Sequence, residues 1–316
     1  MACPTMLLPV CASLLAAQPV VPLPGEPETE ARIADTLPDE FLQSDSEQIA
    51  IAKDRLERMT VAVSIADNGP YKFIIDTASQ RTILSKEIAR ALALDVEDEV
   101  RIIALAGTTI VQTVYVPSLT LGKRSYDSLI SPIFRTANIG ADGVLGLDSL
   151  QGQRILFDFI GKNISVEDTD EKLKSRSRRE IVVTARRRSG QLIFTNATIA
   201  GIRTSVIIDT GGELSIGNKA LQRRLRISSS ALVKTELVDV TGRSIEADYG
   251  IAEDLPLGRA RFGLIPIAFV DIAPFKALKL DKKPALFLGM DALRKFDRVA
   301  IDFANRKIYF LLPEDA

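Results

Sequence analysis

The sequence predicts an all-β protein in which one small domain occurs twice along the chain. Segments rich in Val, Ile, Thr and Phe are interrupted by Gly, Pro and Asn, and stretches that favour helices are few and short. The chain has 316 residues, of which 46% are apolar, so two domains of ordinary size can each bury a core. An internal repeat across most of the chain indicates that both domains share one fold.

The repeat begins with three apolar segments that follow one another in the same order in both halves. In the first half they are residues 49–52, 59–65 and 73–79, the last reading Phe-Ile-Ile-Asp-Thr-Ala-Ser. In the second half they are residues 181–184, 192–199 and 206–212, the last reading Val-Ile-Ile-Asp-Thr-Gly-Gly. Each copy therefore contains one aspartate at the end of an apolar strand.

Four further features follow each aspartate at similar spacing. A short helical stretch is followed by a glycine turn, an apolar-apolar-Gly segment and a final apolar strand. They are residues 86–94, 106–109, 144–148 and 155–159 in the first half, and 218–225, 241–244, 287–291 and 299–303 in the second. This agreement predicts one domain over residues 48–167 and a second over residues 180–312.

The segments outside the two copies differ from them in composition. Residues 6–17 are apolar but too short to span a bilayer, so residues 1–25 are expected to be a signal or targeting segment. This predicts export, to the periplasm, with an uncleaved disordered tail as the alternative. Residues 26–47 are acidic and predict a flexible lead-in, and residues 168–179 predict a charged, exposed linker. No integral membrane segment is expected in the mature chain.

Composition excludes several kinds of active site. The chain has no histidine, and its two cysteines are Cys3 and Cys11, which excludes catalytic triads with histidine, Cys-His dyads and zinc sites built on these residues. The 40 basic and 41 acidic residues nearly balance, so a nucleic-acid partner is not expected. Hydrolytic chemistry would have to come from carboxylates, hydroxyls, amines or a metal with oxygen ligands.

The two aspartates, Asp76 and Asp209, are the candidate chemical groups. An apolar strand that ends in Asp-Thr-Gly places a carboxylate at a tight turn, where glycine permits unusual backbone angles and close approach of another chain. One such turn is a weak signal, since aspartate is common in turns for structural reasons. Two in tandem predict a pair of carboxylates that face each other across a pseudo-twofold axis.

These motifs resemble those of the retropepsin-like aspartic proteases and, more distantly, the pepsins. The resemblance covers roughly residues 48–312 and includes turns at Gly107 and Gly242, segments at Gly146 and Gly289, and a hairpin-like stretch at residues 68–71. It implies two tandem β-barrel domains of the acid-protease fold, each with one short helix. Together they would form a bilobal, pseudo-twofold unit around a central cleft, as a monomeric pseudodimer.

The resemblance also implies a function and a set of site residues. Asp76 and Asp209 would be a catalytic dyad that activates a shared water in an aspartic endopeptidase. The residues expected to support the dyad are Thr77, Ala78, Thr210 and Gly211, with the two threonines hydrogen-bonded across the interface. The expected flap and substrate-binding residues are Gly107, Thr108, Gly242 and Arg243.

The implied chemistry needs a protein or peptide substrate and no metal or organic cofactor. Two carboxylates about 3 Å apart cannot both ionise easily, so the pair would hold one proton and favour acidic pH. Substrate would bind as an added strand beneath the two flaps.

One departure from the family pattern leaves the activity open. The first motif has Ala78 where glycine is usual, which would cost about 1–2 kcal/mol if the turn required a positive φ. If it does not, the methyl group could crowd the substrate or the opposite loop. The alternative function is therefore a catalytically weak or inactive peptide-binding module with the same fold.

Several other residues and segments have structural interpretations. Asp148 and Asp291 are expected to be structural or capping residues, and Asp158 and Asp302 polar positions at strand ends. Residues 180–187 are similar to the TonB-box segment of outer-membrane transporters, but their place in the repeat predicts a strand instead. A third arrangement, in which each half pairs with a half of another chain, is disfavoured because both motifs lie on one chain.

Overall fold

The computed structural model describes residues 14–16, 47–50, 52–53, 59–168, 180–188, 191–253, 255–257 and 260–312. The predicted signal segment, lead-in and linker therefore lie outside the described residues, apart from Glu47 and Asp168 at their edges and Leu14–Ala16 within the predicted signal segment. Within the described ranges, no helix is long and apolar enough to cross a membrane.

The first half forms an eight-stranded sheet. Its strands are β3 (Ala52–Lys53), β4 (Met59–Ile65), β5 (Asn68–Ile75), β6 (Ile83–Ser85), β7 (Val96–Ala104), β8 (Gly107–Leu121), β9 (Arg124–Phe134) and β10 (Gly143–Leu145). The spatial order is β3-β4-β5-β10-β6-β9-β8-β7, and an additional pairing of β4 with β8 curls the sheet into a barrel. In β4, Val61, Val63 and Ile65 are buried whereas Ala62 is exposed, as expected for a strand with one face on the core.

The second half repeats this arrangement in a nine-stranded sheet. Its strands are β1 (Leu14–Ala16), β14 (Arg186–Arg188), β15 (Gln191–Ile199), β16 (Ile202–Ile208), β17 (Ser215–Gly217), β18 (Val233–Asp239), β19 (Ser244–Ala252), β22 (Ile265–Phe269) and β23 (Ala285–Leu288). The order is β1-β18-β19-β22-β17-β23-β16-β15-β14. In spatial order, β16-β23-β17-β22-β19-β18 corresponds strand for strand to β5-β10-β6-β9-β8-β7 of the first sheet. The predicted repeat of one fold is therefore confirmed. A separate two-stranded sheet joins β20 (Pro256–Leu257) and β21 (Ala260–Arg261).

A third sheet, which the sequence did not predict, joins the two halves. Its strands are β2 (Glu47–Ala50), β11 (Gln153–Asp158), β12 (Asn163–Asp168), β13 (Glu180–Thr184), β24 (Arg298–Asp302) and β25 (Lys307–Leu311). The order is β13-β25-β24-β11-β12-β2, so each half supplies three strands, and β11 is antiparallel to β24 at the centre. The segment similar to a TonB box begins with β13, which pairs with β25 along its whole length.

The halves contain more helices than the single short one predicted for each. The described residues form α1 (Lys86–Ala91), α2 (Thr136–Ile139), α3 (Leu147–Leu150), α4 (Lys219–Leu225), α5 (Ala273–Ala277) and α6 (Met290–Leu293), with a 3-10 turn at Ser229–Ala231. The predicted helices are α1 and α4, which begin after the capping side chains of Ser85 and Asn218. The other four span about one turn each, too short for a helical period to show in the sequence.

Two cross-strand ion pairs connect β11 to β24 across the interface between the halves. Arg154 Nη2 lies 2.9 Å from Asp302 Oδ2, and Arg298 Nε lies 2.9 Å from Asp158 Oδ2. Arg154 also pairs with Glu167 at 3.2 Å, and its side chain is buried. The aspartates predicted as polar strand-end positions therefore join the two halves electrostatically.

We expect Arg154→Met to lower the free energy of unfolding by about 3–5 kcal/mol, because it removes the buried guanidinium that pairs with the carboxylates of Asp302 and Glu167. Urea unfolding followed by circular dichroism would measure the change. Lys234→Met is the control, because its pair with Glu246 is largely exposed, and its other partner, Asp248, keeps its ion pair with Lys219. Equal stability changes in both variants would contradict the role assigned to the buried pair.

Candidate active site

The two candidate aspartates occupy equivalent positions at the ends of buried strands. Asp76 follows β5, and its backbone N–H donates to the Leu145 carbonyl of the parallel strand β10 at 3.0 Å. Asp209 follows β16, and its N–H donates to the Leu288 carbonyl of β23 at 2.9 Å. Because both strands are held on each side by sheet neighbours, each aspartate projects from a rigid frame.

The glycine of each apolar-apolar-Gly segment makes room for the loop that follows the aspartate. A Cβ atom on Gly146 would lie 2.3 Å from the carbonyl carbon of Arg81, and one on Gly289 would lie 2.6 Å from that of Leu214. Real Cβ contacts with backbone are essentially never that short. The recurrence of glycine at these two positions is therefore explained by the crossing of two backbone segments.

Each carboxylate is held by its own loop. Asp76 Oδ1 accepts hydrogen bonds from the backbone N–H groups of Ala78 at 2.7 Å and Ser79 at 2.9 Å. Asp209 Oδ1 makes the same two bonds with the N–H groups two and three residues further on, at 3.1 Å and 3.0 Å. One oxygen of each carboxylate is thereby fixed in place.

Four hydrogen bonds made by the two threonines tie the loops together. Thr77 Oγ1 donates to the Ile208 carbonyl at 2.9 Å, and Thr210 Oγ1 donates to the Ile75 carbonyl at 2.7 Å. Each threonine also donates its backbone N–H to the hydroxyl oxygen of the other, at 3.1 Å and 3.2 Å. The loops of the two halves thus meet in a reciprocal arrangement that brings both aspartates to one place.

Gly211 is needed for space and not for an unusual backbone angle. A Cβ atom on Gly211 would lie 2.3 Å from Asp76 Cγ, so the carboxyl group of the first half packs directly on this glycine. Neither Ala78 nor Gly211 has a positive φ, so the strain considered for Ala78 does not arise. The Ala78 side chain is instead buried in an apolar cluster of the second half that includes Leu105 and Ile207.

Burial and mutual repulsion set the electrostatics of the pair. Asp76 and Asp209 are only 0% and 4% exposed. Burial, and then the negative charge of Asp76, raise the pKa of Asp209 well above its ordinary value, although the N–H groups of its own loop act in the opposite direction. The pair can therefore hold one proton, which gives it an acid and a base side by side.

The aspartates after the two glycines lie behind the loops. Asp148 Oδ1 and Asp291 Oδ1 each accept a hydrogen bond of 2.8 Å, from the hydroxyl groups of Thr82 and Ser215. Burial raises the pKa of both, that of Asp291 to about 6. These contacts support their interpretation as structural residues. In the described part of the chain, no group of three or more acidic, His or Cys side chains is arranged to hold a metal ion.

The predicted flap residues lie at or beside the tips of two hairpins, β7–β8 and β18–β19, that touch each other. Thr108 is exposed in β8, and Gly107 and Gly242 have φ values of +130° and +80°. Arg243 Nη2 lies 3.5 Å from the Gly107 carbonyl. Asp239 Oδ2 accepts a bond of 3.1 Å from the Ala106 N–H, which also joins the two turns.

Two buried residues at the hairpin tips were missed by the sequence analysis. Leu105 is 2% exposed within an apolar cluster of the second half, and its carbonyl accepts a bond of 3.2 Å from the Ala273 N–H. Val240 is 0% exposed within a cluster of the first half that includes Ile74 and Phe134. Each tip is therefore seated in the opposite half. The sequence signal that could have identified them is an apolar residue two positions before the glycine of each turn.

One comparison with known proteins agrees with this arrangement. A sequence profile described as "Aspartyl protease" matches residues 61–149 and 195–292, once in each half. Among solved structures, the chain is similar to a retropepsin-like aspartic protease from Rickettsia conorii, with 21% identity, a TM-score of 0.30, and coverage of 42% of this chain and 88% of that chain. No curated protein matches. Because the profile covers more than half of the sequence, the chain belongs to the aspartyl protease family, with one match in each half.

Proposed function

We propose that the protein is an aspartic endopeptidase in which Asp76 and Asp209 form the catalytic dyad. The observation that carries the proposal is the reciprocal bonding of Thr77 and Thr210, which holds two equivalent aspartate loops against each other. Family membership supports a protease, and the buried position of both carboxyl groups supports the sharing of one proton.

The proposed reaction begins with Asp209 protonated, since its pKa is raised, and with Asp76 ionised. Ionised Asp76 takes a proton from a water held between the groups, and the water oxygen forms a bond to the peptide carbonyl carbon. Protonated Asp209 gives its proton to the carbonyl oxygen. As the tetrahedral intermediate collapses, the C–N bond breaks, and Asp76 gives its proton to the departing nitrogen. Asp209 takes a proton from a hydroxyl of the intermediate, which restores ionised Asp76 and protonated Asp209.

The substrate is an extended protein or peptide segment bound beneath the two hairpin tips. A strand that adds to the hairpin edges would gain main-chain hydrogen bonds, with alternate side chains directed to the apolar clusters on either side. Leu105 and Val240 are seated in these clusters, so both tips must lift before a peptide enters. The expected partner is therefore a flexible segment and not a folded surface.

Cleavage of a peptide library by the full chain from pH 3 to 8 tests the proposal. Asp209 must be protonated, and its pKa is raised, so the rate should rise as the pH falls through that pKa. It should fall again at lower pH, when the second carboxyl group also becomes protonated. The chain carrying Asp209→Asn is the blank for contaminating proteases. Cleavage that is independent of pH, or that persists in the blank, would exclude the dyad.

The second candidate function, a peptide-binding module, is favoured by the methyl group of Ala78. In the repeat, Ala78 is the counterpart of Gly211, the residue on which the opposite carboxyl group packs directly. We therefore expect Ala78→Gly to raise kcat roughly tenfold with little change in KM, since small displacements of reacting groups have effects of this size or larger. Steady-state kinetics would measure both constants. Peptide binding without cleavage in both forms would instead establish the binding module.

A further inference from the structure

A buried glutamine of the second half contacts the aspartate loop of the first half. Gln191 is the first residue of β15 and is 2% exposed. Its Nε2 donates a hydrogen bond of 2.8 Å to the carbonyl oxygen of Ala78. Only the amide nitrogen can donate to a carbonyl, so this contact fixes the orientation of the side-chain amide.

The other end of the same side chain is not satisfied. Gln191 Oε1 is buried and has no hydrogen-bond partner among the residues that the structure describes. A half-satisfied buried amide is a poor way to stabilise a fold, because the unpaired atom has lost its solvation. Among the described residues, the hydrogen bond of this side chain is therefore the one that its nitrogen makes to the loop.

The bond from Gln191 reaches Asp76 through a single peptide group. The carbonyl of Ala78 and the N–H of Ser79 belong to the same peptide unit, and that N–H donates to Asp76 Oδ1 at 2.9 Å. A hydrogen bond accepted by the carbonyl polarises the peptide and makes its N–H a stronger donor. Gln191 therefore favours negative charge on Asp76 without touching it.

The second loop lacks this support in the described part of the chain. The Gly211 carbonyl receives no side-chain hydrogen bond from the described residues. The two bonds to Asp209 Oδ1 measure 3.1 Å and 3.0 Å, compared with 2.7 Å and 2.9 Å at Asp76. Both differences favour charge on Asp76 over charge on Asp209, although the two loops are otherwise equivalent.

We propose that Gln191 is a positioning residue that determines which carboxyl group of the pair holds the proton, keeping Asp76 ionised and Asp209 protonated. The proposal rests on the proposed function for its catalytic meaning, but the distribution of the proton is a property of the folded protein. A single residue outside both motifs thus breaks the symmetry of the repeat.

Several charged residues beside the two loops act on one another. Asp209 faces Asp76 from the opposite loop, and Asp76 is the charged group that raises the pKa of Asp209. Arg81 and Glu213 follow the two loops in the sequence, and Asp148 and Asp291 accept hydrogen bonds from residues just beyond them. Arg81 acts on Asp148, Glu213 acts on Asp291, and Arg294 forms an ion pair with Glu213.

Gln191→Met tests the proposal, because methionine keeps the volume of the side chain and removes the donor. Loss of the donor makes ionisation of Asp76 harder, so its pKa rises. We expect the acidic limb of the kcat/KM profile to move to higher pH by on the order of half a unit to one unit. At pH values on that limb, we also expect kcat to fall about threefold to tenfold, because the ionised fraction of Asp76 falls by that factor when its pKa rises by half a unit to one unit. The change in KM should be smaller.

Gln153→Met is the matched control. Gln153 is also buried at the start of a strand, its Nε2 donates to Tyr126 Oη at 2.6 Å, and its Oε1 likewise has no partner among the described residues. This variant should leave the pH profile unchanged. An equal shift in both variants, or a loss of activity by Gln191→Met without any shift, would overturn the proposal.

Carbon-13 NMR titration of the aspartate carboxyl groups gives a second readout that needs no cleavage. The first ionisation should be assigned mainly to Asp76 in the unmodified chain, and it should move to higher pH in Gln191→Met. If the chain cuts no peptide but shows this shift, the proposed function fails and the inference stands. If Gln191→Met does not fold, Gln191→Asn, too short to keep the 2.8 Å contact, should give the same shift, and an unshifted titration would overturn the proposal.

Discussion

Replacing Asp209 by Asn is expected to lower kcat for peptide cleavage by roughly 10²–10⁴-fold, the usual contribution of a positioned proton donor. The amide that replaces the carboxyl group keeps an oxygen that accepts from the loop N–H groups, so the loop geometry is preserved. It has no acidic proton to give to the carbonyl oxygen of the substrate. Chromatographic assay of a cleaved peptide would measure the loss. Asp76→Asn should be equally damaging, because it removes the base.

Although Asp209→Asn lowers kcat, it is expected to raise the stability of the folded chain at neutral pH. Because the pKa of Asp209 is raised in the folded chain, the native state loses stability as the pH rises above the unfolded pKa of about 3.9. Asn carries no charge and avoids this loss, so Asp209→Asn should be more stable than the unmodified chain at neutral pH. The difference should vanish at acidic pH. An inactive variant that is also less stable at every pH would indicate misfolding and not loss of a catalytic group.

Gly211→Ala is expected to reduce kcat by at least about 10²-fold, since misplacement of a reacting group by about 1 Å has effects of this size. The new methyl carbon would lie 2.3 Å from Asp76 Cγ and 2.4 Å from Asp76 Oδ2, so the carboxyl group has to move. Gly211 does not have a positive φ, so backbone strain adds nothing to this effect. Steady-state kinetics, with thermal unfolding to verify the fold, would measure it.

The control for this substitution is the reverse change in the other copy. Ala78→Gly removes a methyl from the equivalent position and should leave Asp76 in place, so the two substitutions are expected to have opposite effects on kcat. Equal losses in both variants would contradict the close packing of Asp76 on Gly211. In that event, the effects of the two substitutions on kcat would have a cause other than contact with the carboxyl pair.

Much of the fold could be predicted because its signals are local. The apolar strands before Asp76 and Asp209, the glycines that follow in fixed order, and the two capped helices are all visible as short patterns. The repeat strengthens each pattern, because a feature that occurs twice in the same order is less ambiguous than one that occurs once. The close approach of another chain segment at Gly211 was likewise expected from its Asp-Thr-Gly motif.

The remaining features depend on contacts between distant residues, which leave no periodic trace. Nothing in the apolar pattern of β11 distinguishes pairing with β24 from pairing within its own half, so the shared sheet was not predicted. Leu105 and Val240 lie in turns, where apolar residues are usually exposed, and only the opposite half shows why they are buried. Gln191 contacts a residue far away in the sequence and has no motif around it.

The shared sheet has a consequence for the order in which the protein can fold during synthesis. The first half is complete on the ribosome when β12 has emerged, but the edge of β11 that pairs with β24 has no partner until nearly the whole second half has been made. An unpaired apolar edge is a template for association with other chains. Until β24 has been synthesised, the nascent chain therefore has an unpaired strand edge at what becomes the centre of the shared sheet. The two copies can form one folding unit only after β24 and β25 have been made.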